Sequence, residues 1–284
     1  MAGTLQRLVV GVDESLAAAA ALRWAATLAA GSGGEVVAVN AFSNPWSEMP
    51  PEEHDRLVRE RKKQLSEVWI QPALELGAVV RTILRDGDPR RVILDMAEAE
   101  EADLVVLGRT GRGGGPGFMH LGSVVEHMAH HTNHPLAVIP PGAQAPIQRI
   151  VVGVDGSSES RHAVDWCGGL AVTTGATVVA VMVAEPNVGW TPGSSTAKWR
   201  HDAERRLEEL VPSLLVAGIK VDSVVQPDLH PADGLLGVAS ARGGDVLVIG
   251  TRGAGGFFGL RAGGVAMKVL HRASLPIVLV PPTN

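Results

Sequence analysis

Short runs of consecutive apolar residues alternate with longer stretches of mixed polarity along the first half of the chain. "LVVGVD", after Arg7, is short, apolar and rich in valine, which predicts a buried strand. Ser15 then supplies a side-chain oxygen to cap a helix through "LAAAAALRWAATLAAG", with Gly31 as its stop. "EVVAVNAF" is a second strand. The charged segment from about Pro51 to Leu76 has helical spacing, and Pro72 should bend or divide it. "AVVRTILRDGD" is a third strand, "PRRVILDMAEAEEA" a helix opened by proline, and "DLVVLG" a fourth strand. A glycine-rich loop, the helical "SVVEHMAHHT" and a last strand in "PLAVIPP" complete the half. Strands alternating with helices predict an α/β fold with a parallel, doubly wound, Rossmann-like sheet of five strands.

The whole pattern is then written again. "RLVVGVDES" at Arg7 returns as "RIVVGVDGS" at Arg149, an offset of 142 residues that also relates Trp24 to Trp166, Leu65 to Leu207, Pro89 to Pro231, Gly108 to Gly250 and Gly111 to Gly253. Beyond the glycine loop the offset is 141, as in Gly122 to Gly263 and Pro135 to Pro276. The first copy therefore carries one more residue than the second between Gly111 and Gly122. "PPGAQAPIQ" (Pro140–Gln148) is a linker by composition. Two tandem domains are expected, 1–143 and 147–284. Their final strands are short and apolar and should lie at sheet edges. Pairing the two edges would cover both, so a pseudo-twofold arrangement through the fifth strands is expected.

Composition narrows the function. The 284 residues are 45% hydrophobic and carry a formal charge of -5, which fits a globular protein and argues against a nucleic-acid-binding domain. Cys167 is the sole cysteine, so no intramolecular disulfide can form. No secretory signal is visible ahead of the first strand, and the apolar stretch Leu16–Ala30 is interrupted by Arg23 and too short for a bilayer. A soluble, cytoplasmic protein without membrane or nucleic-acid partners is expected.

Candidate chemistry sits in the loops "GRTGRGGGPGFMHLGSV" (Gly108–Val124) and "GTRGAGGFFGLRAGGVA" (Gly250–Ala266). A strand, a glycine-rich loop and a helix start make an anion site: glycine permits close backbone approach, and the helix offers free N–H groups and positive dipole. No G-x-x-x-x-G-K-[ST] occurs, and the first strand–helix turn carries an acid in "GVDES" and "GVDGS" instead of a glycine fingerprint.

An Asp closing the first strand, a glycine loop after the fourth, and the terminal "PLAVIPP"/"PIVLVPP" strands together resemble the tandem, nucleotide-binding members of the universal stress protein family over nearly the whole chain. The family signature is G-x2-G-x9-G-[ST]. The second copy keeps the spacing with Gly250, Gly253 and Gly263 but has Gly264 in place of Ser or Thr; the first has Ser123 but one residue too many before Gly122. The resemblance implies a binder of ATP, or of ADP or AMP, with or without Mg, acting in the stress response without dedicated catalysis. It implies that Gly11, Val12 and Asp13, with Gly153, Val154 and Asp155, lie against adenosine. Ala41 and Val183 would meet the base through their backbone. Gly108, Arg109, Thr110, Gly111, Arg112, Gly113 and Gly114 would wrap the ribose and phosphates, as would Gly250, Thr251, Arg252, Gly253, Ala254, Gly255 and Gly256. Gly122, Ser123 and Val124, with Gly263, Gly264 and Val265, would receive the distal phosphates. A homodimer and an unidentified regulatory partner are also implied.

Plainer readings compete at several positions. Either Asp could simply cap the following turn, Arg109, Arg112 and Arg252 could be solvated, and Trp24 and Trp166 read as packing residues. His127/His131 and His130/His134 have the i, i+4 spacing of helical metal ligands, but they sit at a helix C-terminus, where the dipole favours histidine; no metal is expected. The alternative functions are an interaction scaffold with one or both sites degenerate, and a weak ATPase. Hydrolysis would need a positioned base, and neither glycine loop holds a carboxylate. Since Gly264 lacks the Ser123 hydroxyl, the second loop is expected to prefer ATP over AMP less strongly than the first.

Overall fold

The computed structural model describes residues 5–42, 50–111, 121–143, 146–184, 196–228, 230–253 and 262–282. The chain forms two compact units, residues 5–145 and 146–284. The first runs β1 (Arg7–Gly11), α1 (Leu16–Ser32), β2 (Glu35–Phe42), α2 (Pro51–Gln64), α3 (Gln71–Leu74), β3 (Val79–Asp86), α4 (Pro89–Ala99), β4 (Leu104–Gly108), α5 (Ser123–His131) and β5 (Leu136–Ile139). The second runs β6 (Arg149–Val154), α6 (Ser158–Thr174), β7 (Thr177–Ala184), α7 (Thr196–Glu208), α8 (Pro212–Val216), β8 (Val221–Pro227), α9 (Pro231–Ala241), β9 (Val246–Gly250), α10 (Gly264–Arg272) and β10 (Ile277–Val280).

Each unit is a doubly wound α/β domain around five parallel strands. The order is β3-β2-β1-β4-β5 in the first and β8-β7-β6-β9-β10 in the second. The central strands read as unbroken apolar runs because helices cover the sheet: Leu8 to Val10, Val36 to Val39 and Leu104 to Leu107 are all buried. In such a sheet the strand order reverses between β1 and β4, and between β6 and β9. A crevice opens there, outside the strands' carboxyl ends.

The repeat is visible as physical chemistry. Asp103 accepts hydrogen bonds from the Gln6 and Arg7 amides, both at 2.8 Å, and Asp245 does the same for Gln148 and Arg149, again at 2.8 Å. Each carboxylate thus anchors the start of the first strand of its unit from the loop before the fourth. Ser15 and Ser157 cap α1 and α6 by accepting from the Ala18 and Ser160 amides. The helix stops are Gly33 and Gly175, with φ of 71° and 69°, which corrects the expected stop at Gly31. Termination needs a left-handed residue whose N–H can return to the helix, and the Gly33 amide bonds the Ala29 carbonyl. Pro72 falls in the first turn of α3, where its missing N–H is harmless, and a π-type turn over Leu65–Trp69 separates α2 from α3. Leu65 and its repeat partner Leu207 are both buried.

Gly108 is required by packing. A Cβ there would lie 2.5 Å from the Ala17 carbonyl carbon, so β4 ends directly against the first turn of α1. Gly264, in contrast, has open space around it. Gly108→Ala should cost about 1–3 kcal/mol, since backbone must move on both sides. Gly264→Ala should be neutral or stabilising by up to about 1 kcal/mol. Urea unfolding midpoints of the two variants check the contrast.

Asp88 caps α4 through the Arg90 amide at 2.9 Å and holds the Arg90 guanidinium at 2.5 Å. The Arg90 side-chain hydrogen bond, helped by the amide, lowers the Asp88 carboxyl from 3.8 to about 2. A depressed carboxyl stabilises the fold above its unfolded pKa, and that stability is lost as pH falls through the folded value. The pair is partly exposed, so solvent screens most of its charge. Asp88→Asn keeps an acceptor at the cap, and should lower stability at pH 7 by no more than about 1 kcal/mol. The gap between parent and variant should close between pH 3.8 and about 2, measured by denaturation at a series of pH values.

Candidate functional site

The crevice is built first by the strand-end carboxylates. In the first unit the Val12 amide donates to the Val39 carbonyl at 2.9 Å, and Asn40 Nδ2 donates to the Val12 carbonyl at 2.6 Å. Val12 is clamped on both sides, which fixes the direction in which Asp13 leaves the sheet. In the second unit Met182 stands at the place of Asn40, and β6 itself extends to Val154 in pairing with β7.

Asp13 and Asp155 each do two things. Asp13 Oδ1 accepts from the Ser15 amide at 2.9 Å; Asp155 Oδ1 accepts from the Ser157 amide at 3.0 Å and its hydroxyl at 2.6 Å. This is the turn-capping role available to any aspartate in such a position. The other oxygen faces the glycine loop. A Cβ on Gly111 would lie 3.1 Å from Asp13 Oδ2, and one on Gly253 would lie 2.3 Å from Asp155 Oδ2. A side chain at Gly253 would therefore collide with its carboxylate, and one at Gly111 would be in tight contact with its own.

The loops close in the same way in both units. The Gly122 amide donates to the Arg109 carbonyl at 2.9 Å, and the Gly263 amide to the Thr251 carbonyl at 2.7 Å. The extra residue of the first copy thus falls beyond a common base. Gly122 and Gly263 are the N-caps of α5 and α10 and carry no side-chain cap, leaving the first amides of each helix to the crevice. Arg112, Gly113 and Gly114, with Ala254, Gly255 and Gly256, lie outside the described residues.

In the second unit these parts enclose a cavity of about 510 Å³. Gly153, Val154, Asp155, Val183, Gly250, Thr251, Arg252, Gly253, Gly263, Gly264 and Val265 all line it, so every described candidate of that half converges there. Six further lining residues escaped the sequence reading: Ser160, Pro231, Leu235, Ile249, Ala266 and Lys268. Leu235 and Ile249 make an apolar floor, and a Cβ on Gly153 would meet them at 2.8 and 2.9 Å. Pro231 and Leu235 share one face of α9 at i, i+4, a signal available in the sequence once α9 is known to border the crevice. The volume suits a small-molecule site, apolar with few convergent polar groups.

The first unit places its candidates on the equivalent elements: Gly11 ends β1, Val12 and Asp13 follow it, Ala41 lies on β2, Gly108 ends β4 with Arg109, Thr110 and Gly111 after it, and Ser123 and Val124 open α5. One of the plainer readings does not hold. Arg109 is not solvated: it is only 4% exposed, and burial pushes its guanidinium pKa down. The repeat partner of Arg109 is Thr251, also 4% exposed, whose Oγ1 has no hydrogen-bond partner among the described residues. Trp24 is buried in packing as expected, and Trp166 is half-buried.

The histidines cluster towards the C-terminal end of α5. His127 and His131 stack with ring centroids 4.0 Å apart, and His134 Nδ1 donates to the Ala102 carbonyl at 2.7 Å. Partial burial, then the neighbouring His131 and Arg90, hold His127 below the usual imidazole range. Stacked rings present their faces to each other rather than converging lone pairs on one point.

No helix among the described residues is long and apolar enough to cross a membrane. The family model of universal stress proteins matches residues 4–140 and again 146–281. A universal stress protein of Mycobacterium tuberculosis (strain H37Rv) is 31% identical over 291 residues, covering 96% of both chains. One from Mycolicibacterium smegmatis is 27% identical over 295 residues, covering 97% of each. Among solved structures, a universal stress protein from Archaeoglobus fulgidus superposes with a TM-score of 0.74 at 19% identity, over 98% of both chains, which supports the fold. With its two repeats each matched by the family model, the chain belongs to the universal stress protein family.

Proposed function

We propose that this chain is an adenine-nucleotide-binding regulatory protein without dedicated catalytic machinery. The observation that carries the proposal is the second-unit cavity, where a strand-end carboxylate, a glycine loop and an uncapped helix start meet over an apolar floor. That combination suits a flat apolar base, a ribose that can donate hydrogen bonds to Asp155, and phosphates against backbone amides. The orphaned Thr251 hydroxyl and the narrow passage between Gly253 and Asp155 favour a ligand that lies along the loop. ATP, ADP or AMP fits these features; where the phosphate chain carries Mg, the metal would be held mainly by the phosphates.

Catalysis finds little support. Asp155 is the only carboxylate among the described lining residues, and its Oδ1 is engaged by Ser157. Turnover of ATP needs a group to position water, and Asp155 lies at the strand end in the role of a binding residue. A regulatory role, with nucleotide occupancy read by a protein partner, follows from binding without turnover.

The test is to denature the purified protein, identify released nucleotide by mass spectrometry, and titrate the ligand-free protein with ATP, ADP and AMP. Adenine nucleotide should be released or should bind, and Asp155→Ala should weaken binding about tenfold or more, the size of a lost hydrogen bond to a charged group. No measurable affinity for any of the three would leave the interaction scaffold as the better reading.

A further inference from the structure

The two repeats differ in charge as well as in loop length. Lys268 lies one turn into α10, four residues after Gly264 and so on the same helix face. It lines the cavity of about 510 Å³ and also an adjoining one of about 290 Å³ at the start of α9. Pro231, Val265 and Lys268 are common to both. Arg272, which lines the second cavity too, is ion-paired with Asp233. Lys268 has no ion pair among the described residues, so its charge is available to a ligand. Arg252 adds another cation to the lining, and its buried Nε has no hydrogen-bond partner among the described residues. Against these two cations the described lining offers one carboxylate, Asp155.

The first repeat has different groups at the same places. The offset of 142 puts Thr110 opposite Arg252, and the offset of 141 puts His127 opposite Lys268. Partial burial, with the neighbouring His131 and Arg90, pushes the His127 imidazole pKa down, disfavouring its charged form. Arg252 is balanced by Arg109, whose counterpart is Thr251, so the missing hydroxyl at Gly264 is accompanied by one ammonium gained, Lys268 in place of an imidazole.

We propose that Lys268, assisted by Arg252, is the charge-selecting element of the second-unit site, making it favour adenine nucleotides with a longer and more highly charged phosphate chain. The proposal rests on the adenine-nucleotide reading and reverses the ranking that the missing hydroxyl alone implies. A hydroxyl and an ammonium both make charge-assisted hydrogen bonds to phosphate, but the ammonium adds a full positive charge whose attraction grows with the charge of the phosphate chain. The place of Lys268 where the two cavities meet also gives an extended phosphate chain room beyond the loop.

The experiment uses the full chain, with hydrogen–deuterium exchange read on peptides from β9 and α10 so that the second unit is followed separately. Adenosine, AMP, ATP and inorganic tripolyphosphate are titrated against the parent, Lys268→Gln and Lys268→Arg. In the parent, ATP should protect these peptides at lower concentration than AMP. Lys268→Gln should weaken ATP about tenfold, AMP by no more than about threefold and adenosine hardly at all. Lys268→Arg should restore most of the ATP affinity, and added salt should weaken ATP more in the parent than in Lys268→Gln. Equal weakening of ATP and AMP, or none, would overturn the proposal even if both bind. If no adenine compound protects but tripolyphosphate does, in a Lys268-dependent way, the nucleotide reading fails while charge selection stands. Protection by none of the four ligands overturns both.

Discussion

The candidate site of the second unit depends on one close approach: Gly253 passes over the strand-end carboxylate where no side chain would fit. Asp155 cannot swing aside freely, because its Oδ1 is held by both the amide and the hydroxyl of Ser157. Its Oδ2 is consequently fixed, and a Cβ at Gly253 would come within 2.3 Å of it. The carboxylate, the loop and the sheet are thereby locked into one geometry. The topology makes the encounter possible by placing the first and fourth strands of each unit side by side, so that residues nearly a hundred positions apart leave the sheet together.

The same constraint explains how two loops of different length keep one design. Each is pinned at its start by a glycine at the end of the fourth strand and at its close by the bond from Gly122 to Arg109 or from Gly263 to Thr251. Between the pins, one added residue changes closure entropy very little. The side chains on the frame are free to diverge, and they do: Arg109 corresponds to Thr251, Thr110 to Arg252, Ser123 to Gly264 and His127 to Lys268 in the repeat. Backbone geometry is shared, while charge and hydroxyl placement are particular to each copy.

Most of the fold was legible in the sequence, for a physical reason. Runs such as "LVVGVD" and "DLVVLG" are buried on both faces, so their composition alone marks them as strands, and Ser15 and Ser157 announce helix starts. The stop at Gly33 was misplaced by two residues because Gly31 and Gly33 are equivalent in composition and only the backbone angle tells them apart. The signature-spaced glycines and Asp155 of the second half converged on the cavity. Lys268, Leu235 and Ile249 stayed hidden because their part depends on which faces of α9, α10 and β9 border the crevice, a tertiary fact. The burial of Arg109 was hidden for the same reason: a loop arginine can be solvated or packed, and only the surrounding structure decides. Asn40 was the one omission with a local signal, a lone amide in an apolar strand.

The most direct measurement of the central claim is a crystal structure of the full chain grown with ATP. The expected result is nucleotide density in the second-unit cavity, with Asp155 within hydrogen-bonding distance of the ligand and the phosphates against the first amides of α10. Nucleotide bound elsewhere on the unit, or seated in the cavity without touching either Asp155 or the Gly250–Gly253 backbone, would contradict the account.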